Sequence, residues 1–558
     1  MTGTPVRSSA RTDALHEVVI LGGGLAGLTL ALQLRIEFAD LDIVVLERQN
    51  HPLPVAAHKV GESTVEIGAH YFAETLGLRE HLENAQIRKF GLRFFLSEGR
   101  DDLAGVTEVG VSEDLPTPSY QLDRGIFENF LGAEALRRGI DFRPRVSVRG
   151  FELGDEDAQH TVRCRDAQGE YTLRARWLLD ASGRAGLLRR RLELTRDNGH
   201  HVNAAWFRLD QRLVVDDWVN DSAWRAQCRP PERWRSTNHL LGNGHWAWLI
   251  PLASGAHSVG IVADATLHPL QTMNDFPRAC AWLGQHQPAL ARAVENCRDK
   301  LLDFHFLRDI SYGCEQVFSA DRWALTGEAG LFLDPFYSPG SDFIAISNTY
   351  ICMLIAHDRA GEVLAPYARF YQRLYFSFYA STLLLYRHQY PLFGNAQLMP
   401  IKLVWDYSYY WGVLCQLVFQ QRLGDQALFM DMARELETAQ ALNARMQAFF
   451  VQWHPLSHGR NPEGLLDQRE LAWFAALNGG LRAKLNDAGI RARLRENVEL
   501  LEGLAAMIIE RAVADGGEVL REHMQDLTRA RQHPELFRVT PTPPASPAAT
   551  PPCGNLNK

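Results

Sequence analysis

The first fifty residues hold the feature that most restricts the fold. His16 to Leu21 is a short, mostly apolar run that reads as a buried strand. Gly22-Gly23-Gly24-Leu25-Ala26-Gly27 follows, then a helical run to about Ile36 and a second strand from Asp42 to Leu46 that ends in Glu47. Strand, G-x-G-x-x-G, helix, strand and acid form a complete dinucleotide-binding unit rather than an isolated glycine motif. Gly22 permits the tight turn, Gly24 lets the backbone approach a pyrophosphate, and Gly27 lets the helix pack closely on the strand. Glu47, 20 residues after Gly27, is spaced to accept ribose hydroxyls. A unit of this kind works only inside a mostly parallel α/β sheet covered by helices.

A chain of 558 residues with 46% hydrophobic content has room for two or more structural units. Residues 1–15 read as a flexible N-terminus and 16–365 as a nucleotide-binding core with an interleaved β-sheet substrate region. The strand-like segments of that region are Phe142 to Val148, Thr161 to Arg165, Trp177 to Leu179, His245 to Leu252 and Ser258 to Val262. Residues 366–535 turn to long helical stretches with aromatic faces, including Tyr367 to Leu385 and Val404 to Leu423. These faces suit a core, a roof over an apolar cavity or a membrane surface. Residues 536–558 form a Pro-rich tail expected to be disordered.

Charge and cysteine usage exclude several functions. A net charge of -8 leaves no basic excess to neutralise phosphates, so nucleic acid is not expected as a partner. The densest basic run, Arg189-Arg190-Arg191, reads as a solvated helix end or a docking spot for an acidic carrier protein. Eight scattered cysteines without C-x-x-C give neither a disulfide nor a metal framework. His200-His201 and His245 have no further ligand at helical spacing, so no metal is expected. With no signal-peptide pattern and no apolar run of spanning length, a cytoplasmic protein without a transmembrane segment is expected.

Further motifs carry the functional reading. In Trp246-Ala247-Trp248-Leu249-Ile250-Pro251 the two tryptophans flank one residue, so a strand would put both indoles on one face, either as core or as a wall. Leu178-Leu179-Asp180-Ala181-Ser182-Gly183 is a strand running into a small-residue turn. Trp323 to Gly330, with Gly327-Glu328-Ala329, resembles the G-D-A element of aromatic-hydroxylase-like flavoproteins, with Glu328 where the family has Asp. Tyr120 to Arg124 resembles the arginine-bearing helix start that supports FAD in that fold. The resemblance implies an α/β, FAD-binding Rossmann-like fold of the aromatic-hydroxylase type, with an inserted β-sheet region and a C-terminal helical region.

Three more segments narrow the family. Val60-Gly61-Glu62-Ser63-Thr64 is similar to the strap that clasps FAD in flavin-dependent halogenases. Lys89-Phe90-Gly91-Leu92-Arg93-Phe94 resembles their K-x-G-x-x-F segment, and Phe332-Leu333-Asp334-Pro335-Phe336-Tyr337-Ser338-Pro339-Gly340 their F-x-x-P-x-x-S-x-G segment. With the tryptophan pair, these matches fall in the family's order across residues 22–340, and the chain looks closer to the phenol and phenylpyrrole types than to the tryptophan type.

The resemblance implies an enzyme that uses reduced FAD, oxygen and chloride or bromide. A flavin hydroperoxide would yield hypohalous acid, which Lys89 would position against an electron-rich phenol or pyrrole-type ring in secondary metabolism. Trp246 and Trp248 would wall off the flavin. Gly22, Gly24, Gly27, Glu47, Glu62, Ser63, Arg124, Gly327 and Asp334 would hold the cofactor, and Gly340 and Ser341 would border the halide. Only one nucleotide fingerprint is visible, so a separate flavin reductase is expected as a transient partner, and the substrate is either free or tethered to a carrier protein.

Two positions depart from the family pattern. Tyr337 stands where tryptophan halogenases carry glutamate, and a phenol of ordinary pKa is a poor base. Pro339 has no N–H to offer a halide. An aromatic monooxygenase of the same fold, or a non-catalytic flavin-binding partner, would share the nucleotide motifs.

Overall fold

The computed structural model describes residues 15–54, 60–154, 159–458 and 462–522. The glycine unit forms the centre of a seven-stranded sheet. Its parallel part runs, side by side, Asp141–Pro144, Ile43–Glu47, Leu15–Leu21, Gly169–Asp180 and Trp323–Leu325. Val18, Val19, Ile20, Val44 and Val45 are fully buried, the continuous apolar run of a strand covered on both faces. The N-terminal half of Gly169–Asp180 reaches past the parallel part and pairs antiparallel with His160–Asp166, which pairs in turn with Ser147–Glu152. Helix Leu25–Glu37 packs on helices Arg124–Arg137 and Gly340–Arg359, so chain that is distant in sequence covers the nucleotide unit.

The second large sheet has eight strands in the order Leu301–Leu307, Val202–Leu209, His257–Asp264, His245–Pro251, Thr237–Gly242, Leu92–Leu96, Thr107–Gly110 and Gly464–Asp467. His245–Pro251 lies antiparallel between its two neighbours and is buried throughout. The strands expected from the sequence are present, with Phe142 to Val148 split by a turn into two.

The remaining chain is helical, beginning with Leu364–Leu383, but Gly464–Asp467 departs from that pattern by joining the edge of the eight-stranded sheet. The helical region is therefore laced into the eight-stranded sheet rather than appended to it. Helix Met399–Tyr409 passes through a π-helical turn, Tyr410–Cys415, into Gln416–Phe419. Trp405, Tyr407, Trp411 and Cys415 are buried there, so this aromatic stretch is interior rather than a membrane-facing surface. Among the described residues no helix is long and apolar enough to cross a membrane.

One surface expectation is corrected. Arg189 is not solvated but buried, its guanidinium 4.0 Å from the centre of the Tyr312 ring, and only Arg190 and Arg191 of that run are exposed. The expected flexible N-terminus, apart from Leu15, and the expected tail from 536 lie outside the described residues.

Candidate active site

The nucleotide groove begins at the glycine loop. A Cβ on Gly22, whose φ is +113°, would lie 2.4 Å from the Ala181 carbonyl oxygen, and one on Gly27 would lie 2.0 Å from the Gly22 carbonyl oxygen. Only glycine therefore lets the turn after Asp180 and the start of helix Leu25–Glu37 close on the loop. That helix has no acidic residue in its first turn, and its positive end faces a groove bordered by Gly22, Gly24, Glu47, Arg124, Ser182 and Thr326. Glu47 accepts hydrogen bonds from the amides of Gly23 (2.7 Å) and Gln49 (2.6 Å), bracing the loop while still bordering the groove. Arg124 donates to the Val60 carbonyl at 2.6 Å and pairs with Glu128, fixing the strap to its helix.

The groove leads into an inner cavity with which it shares Leu25, Val60, Arg124, Trp248, Glu328 and Ile344. Glu62, Ser63, Trp246, Gly327, Asp334, Gly340 and Ser341 also line this cavity, so the fold gathers motifs spread over nearly three hundred residues. Gly327 has φ +58°, which turns the chain sharply after Trp323–Leu325. Glu328, beside it, pairs with Arg184 at 2.9 Å.

The residues present fit a flavin. The glycine cradle leaves no side chain in the way of a pyrophosphate, and two buried polar atoms at the cavity, Glu62 Oε1 and Ser341 Oγ, have no hydrogen-bond partner. Burial pushes the Glu62 carboxyl up to about 7, with Arg208 opposing the shift.

The tryptophan pair lies on one face of its strand, ring centres 5.7 Å apart. Trp246 Nε1 donates to Tyr390 at 2.9 Å, and Trp248 Nε1 donates to Ser258 at 3.1 Å. Trp248 fits because Gly260 on the neighbouring strand has no side chain: a Cβ there would sit 2.1 Å from the indole. Asp334 spends its oxygens on His200 (2.7 Å), Tyr390 (2.6 Å) and the Phe336 amide (2.9 Å), so it anchors the Trp246 partner as well as bordering the cavity.

A second chamber adjoins the first, and the two share Pro339 and Phe343 as a common wall. Its lining includes Val65, Leu92, Tyr337, Asp342, Asp406 and Tyr410, but neither tryptophan. Lys89 is in neither lining but is bonded to the strap beside them. Its side chain is 4% exposed, and Nζ donates to Ser63 Oγ at 2.8 Å and to the Thr64 carbonyl at 2.7 Å. Ser63 faces the inner cavity and Val65 the second chamber. Gly91, at φ +73°, starts the turn that leads from Lys89 into strand Leu92–Leu96. Burial brings the Lys89 ammonium down to about 7, opposed by the nearby carboxylates of Glu66 and Asp342.

Asp342, five residues after Tyr337, lines the same chamber, and the geometry separates the two. The Asp342 carboxyl accepts from the Gly68 amide at 2.8 Å and from the Tyr410 hydroxyl at 2.6 Å, and burial pushes it up to about 7. Tyr337 donates its hydroxyl to Asp406 at 2.6 Å, and burial beside that carboxylate holds its pKa well above the usual phenol range. Asp406 also accepts from Lys402 at 2.6 Å, a buried pair that no sequence motif announced. Pro339 caps helix Gly340–Arg359, and its carbonyl accepts from the amides of Asp342 and Phe343. The N–H groups of Gly340 and Ser341 precede those bonds, so the proline leaves them at the helix's positive end.

Comparison with known proteins agrees with this geometry. Residues 16–249 match the family described as FAD binding domain. The chain is 26% identical to the flavin-dependent halogenase chlA of Dictyostelium discoideum over 59% of its own length and 58% of the relative's. It is 26% identical to the tetracycline 7-halogenase of Kitasatospora aureofaciens over 62% of its length and 64% of the relative's. These alignments thus span under two thirds of either relative. Among solved structures, halogenase PltM in complex with phloroglucinol and FAD superposes with a TM-score of 0.62 at 19% identity, covering 89% of this chain and 96% of that one. Fold and groove define an FAD-binding flavoprotein. Within that class the relatives that the chain resembles are flavin-dependent halogenases.

Proposed function

We propose that the protein installs chlorine or bromine on an electron-rich, phenol- or pyrrole-type aromatic ring in secondary metabolism. The observation that carries this reading is the buried Lys89 side chain, bonded to the strap beside the tryptophan-lined cavity and the tyrosine-rich chamber. Bound reduced FAD, recharged by a separate reductase, supplies with oxygen the two-electron oxidation that turns halide into hypohalous acid. The Gly340 and Ser341 amides would hold the halide at the helix N-terminus.

Lys89 as a neutral amine donates both N–H groups to Ser63 and Thr64, which leaves one lone pair for an oxidant. That amine takes the halogen from hypohalous acid and releases water. The ring then takes the halogen: the C–X bond forms, the N–X bond breaks and its electron pair returns to nitrogen. Asp342, held near neutrality in pKa, accepts the ring proton and passes it on to the Lys89 nitrogen, which restores both the amine and the carboxylate. Trp246 and Trp248 line only the flavin side, and Pro339 with Phe343 completes the partition that keeps the ring away from the cofactor. A relative from Pseudoalteromonas luteoviolacea is named a pyrrole-carrier-protein brominase, which supports a pyrrole-type or carrier-bound substrate. The neighbour complexed with phloroglucinol supports a free phenol.

The test incubates the protein with FAD, a flavin reductase, NADH, bromide and a panel of phenols and pyrroles, with products read by mass spectrometry. A bromine isotope pattern that disappears in Lys89→Met supports the proposal. Hydroxylated product in its place, persisting in that variant, identifies a monooxygenase.

A further inference from the structure

Among residues that line neither chamber, the fold gathers histidines that sequence spacing kept apart. His245 opens strand His245–Pro251, His268 follows strand His257–Asp264, and His286 ends helix Phe276–His286. One ring nitrogen from each lies within 4.8 Å of the others, and the ring centres form a nearly equilateral triangle of 4.9, 5.1 and 4.9 Å. Glu98 lies beside the group: one carboxylate oxygen is 3.5 Å from His286 Nδ1, and the other accepts from the Asn243 amide at 2.8 Å.

Two observations show that these rings are aimed. The Asn243 carbonyl lies 3.2 Å from His245 Nδ1 and 2.9 Å from His268 Nε2. A carbonyl only accepts, so both of those nitrogens carry protons, and the lone pairs fall on His245 Nε2 and His268 Nδ1. A carbonyl that fixes the tautomer of two imidazoles is the outer support typical of metal ligands. The second observation is Gly242, where a Cβ would sit 2.5 Å from His245 Nε2 and 2.9 Å from the Glu98 carboxyl carbon. Glycine leaves the space in which those donors converge. Gln287 Nε2 donates to His245 Nε2 at 3.1 Å and confirms that this nitrogen is an acceptor; a bound ion would take over that lone pair.

We propose that Glu98, His245, His268 and His286 bind one zinc-class divalent cation, which staples the hairpin carrying Trp246 to the C-terminal end of helix Phe276–His286. Three imidazoles and one carboxylate are a donor set for Zn2+ rather than for Ca2+ or Mg2+. Tetrahedral coordination at about 2.0–2.1 Å from each donor requires the rings to close by roughly 1 Å, within the reach of side-chain rotation. The His286 side chain is 17% exposed, which gives the ion a way in. The site is independent of the halogenation chemistry.

The test uses the FAD-loaded, full-length protein stripped with EDTA and then given Zn2+ alone. Calorimetry and metal analysis after desalting should find one ion per chain, and the melting temperature should rise with zinc. His268→Ala and His286→Ala should each weaken binding by about tenfold or more and abolish the thermal shift, whereas His201→Ala, an exposed histidine outside the cluster, should change neither. Co2+ added to the unmodified chain should give the visible bands of a tetrahedral nitrogen-rich site, a readout that needs no substitution. No retained zinc, or zinc that survives both substitutions, overturns the proposal.

Discussion

Lys89 illustrates how a residue's chemistry depends on what surrounds it. As a surface side chain it would be one more solvated ammonium. Buried against Ser63 and Thr64 it loses hydration faster than Glu66 and Asp342 restore it, and its proton becomes labile near neutrality. Lys89→Met should therefore abolish halogenated product while FAD content, read from the flavin absorbance, stays at the wild-type level. Asp342→Asn keeps the shape but removes the base, and kcat should fall by about 10²–10⁴-fold. The pH dependence follows from both groups. In the proposed reaction Asp342 works ionised and Lys89 works neutral, and both lose protons as pH rises through about 7. Single-turnover halogenation should thus accelerate from pH 6 to 8; a rate that falls over that range would mean the ammonium is the working form.

At the scale of elements, strand geometry and one glycine position the indoles. Alternation along His245–Pro251 puts Trp246 and Trp248 on one face, and Gly260 on the adjacent strand makes room for the second ring. Gly260→Ala should destabilise the protein by about 1–3 kcal/mol through overpacking, measured by thermal denaturation, and should lower FAD retention as the indole shifts into the cavity. The π-helical turn Tyr410–Cys415 has an equally local effect. It carries Tyr410, whose hydroxyl donates to Asp342 and accepts from the Ile67 amide at 3.2 Å. Tyr410→Phe removes a hydrogen bond that favours the Asp342 carboxylate, so the rising limb of the pH profile should move to higher pH.

Across the whole molecule, FAD binding and folding should be linked. The groove is assembled from the glycine loop, the strap and the turns after Asp180 and Leu325, four segments that meet only in the native state. FAD at about 100 times its Kd should therefore add about 2.7 kcal/mol of stability, seen as a higher melting temperature. Gly24→Val, which places a side chain at the groove, should cancel that rise while the protein still melts cooperatively. Much of this assembly was legible in advance. The periods of the strands, the glycine spacing and the order of the motifs identified the nucleotide unit and the residues that line the inner cavity. The second chamber was not legible, because Asp406 and Tyr410 carry no motif and meet Tyr337 only when helices beyond residue 398 fold over helix Gly340–Arg359. The strand Gly464–Asp467 was hidden for the same reason, being four residues long within a helical pattern and defined by its partner Thr107–Gly110.

The sequence by itself determined the parallel nucleotide-binding sheet and the tryptophan-bearing strand, because each rests on local rules: glycine at a tight turn, apolar runs in buried strands, alternation of side chains; the flavin class came from the resemblance of its motifs to a known family. Only the tertiary structure decided that Lys89 is buried against Ser63 and Thr64, that Asp342 rather than Tyr337 is poised near neutrality, and that His245 meets His268 and His286. Burial, pKa and convergence of donors depend on groups far apart in the chain, and those distances are set by packing rather than by spacing.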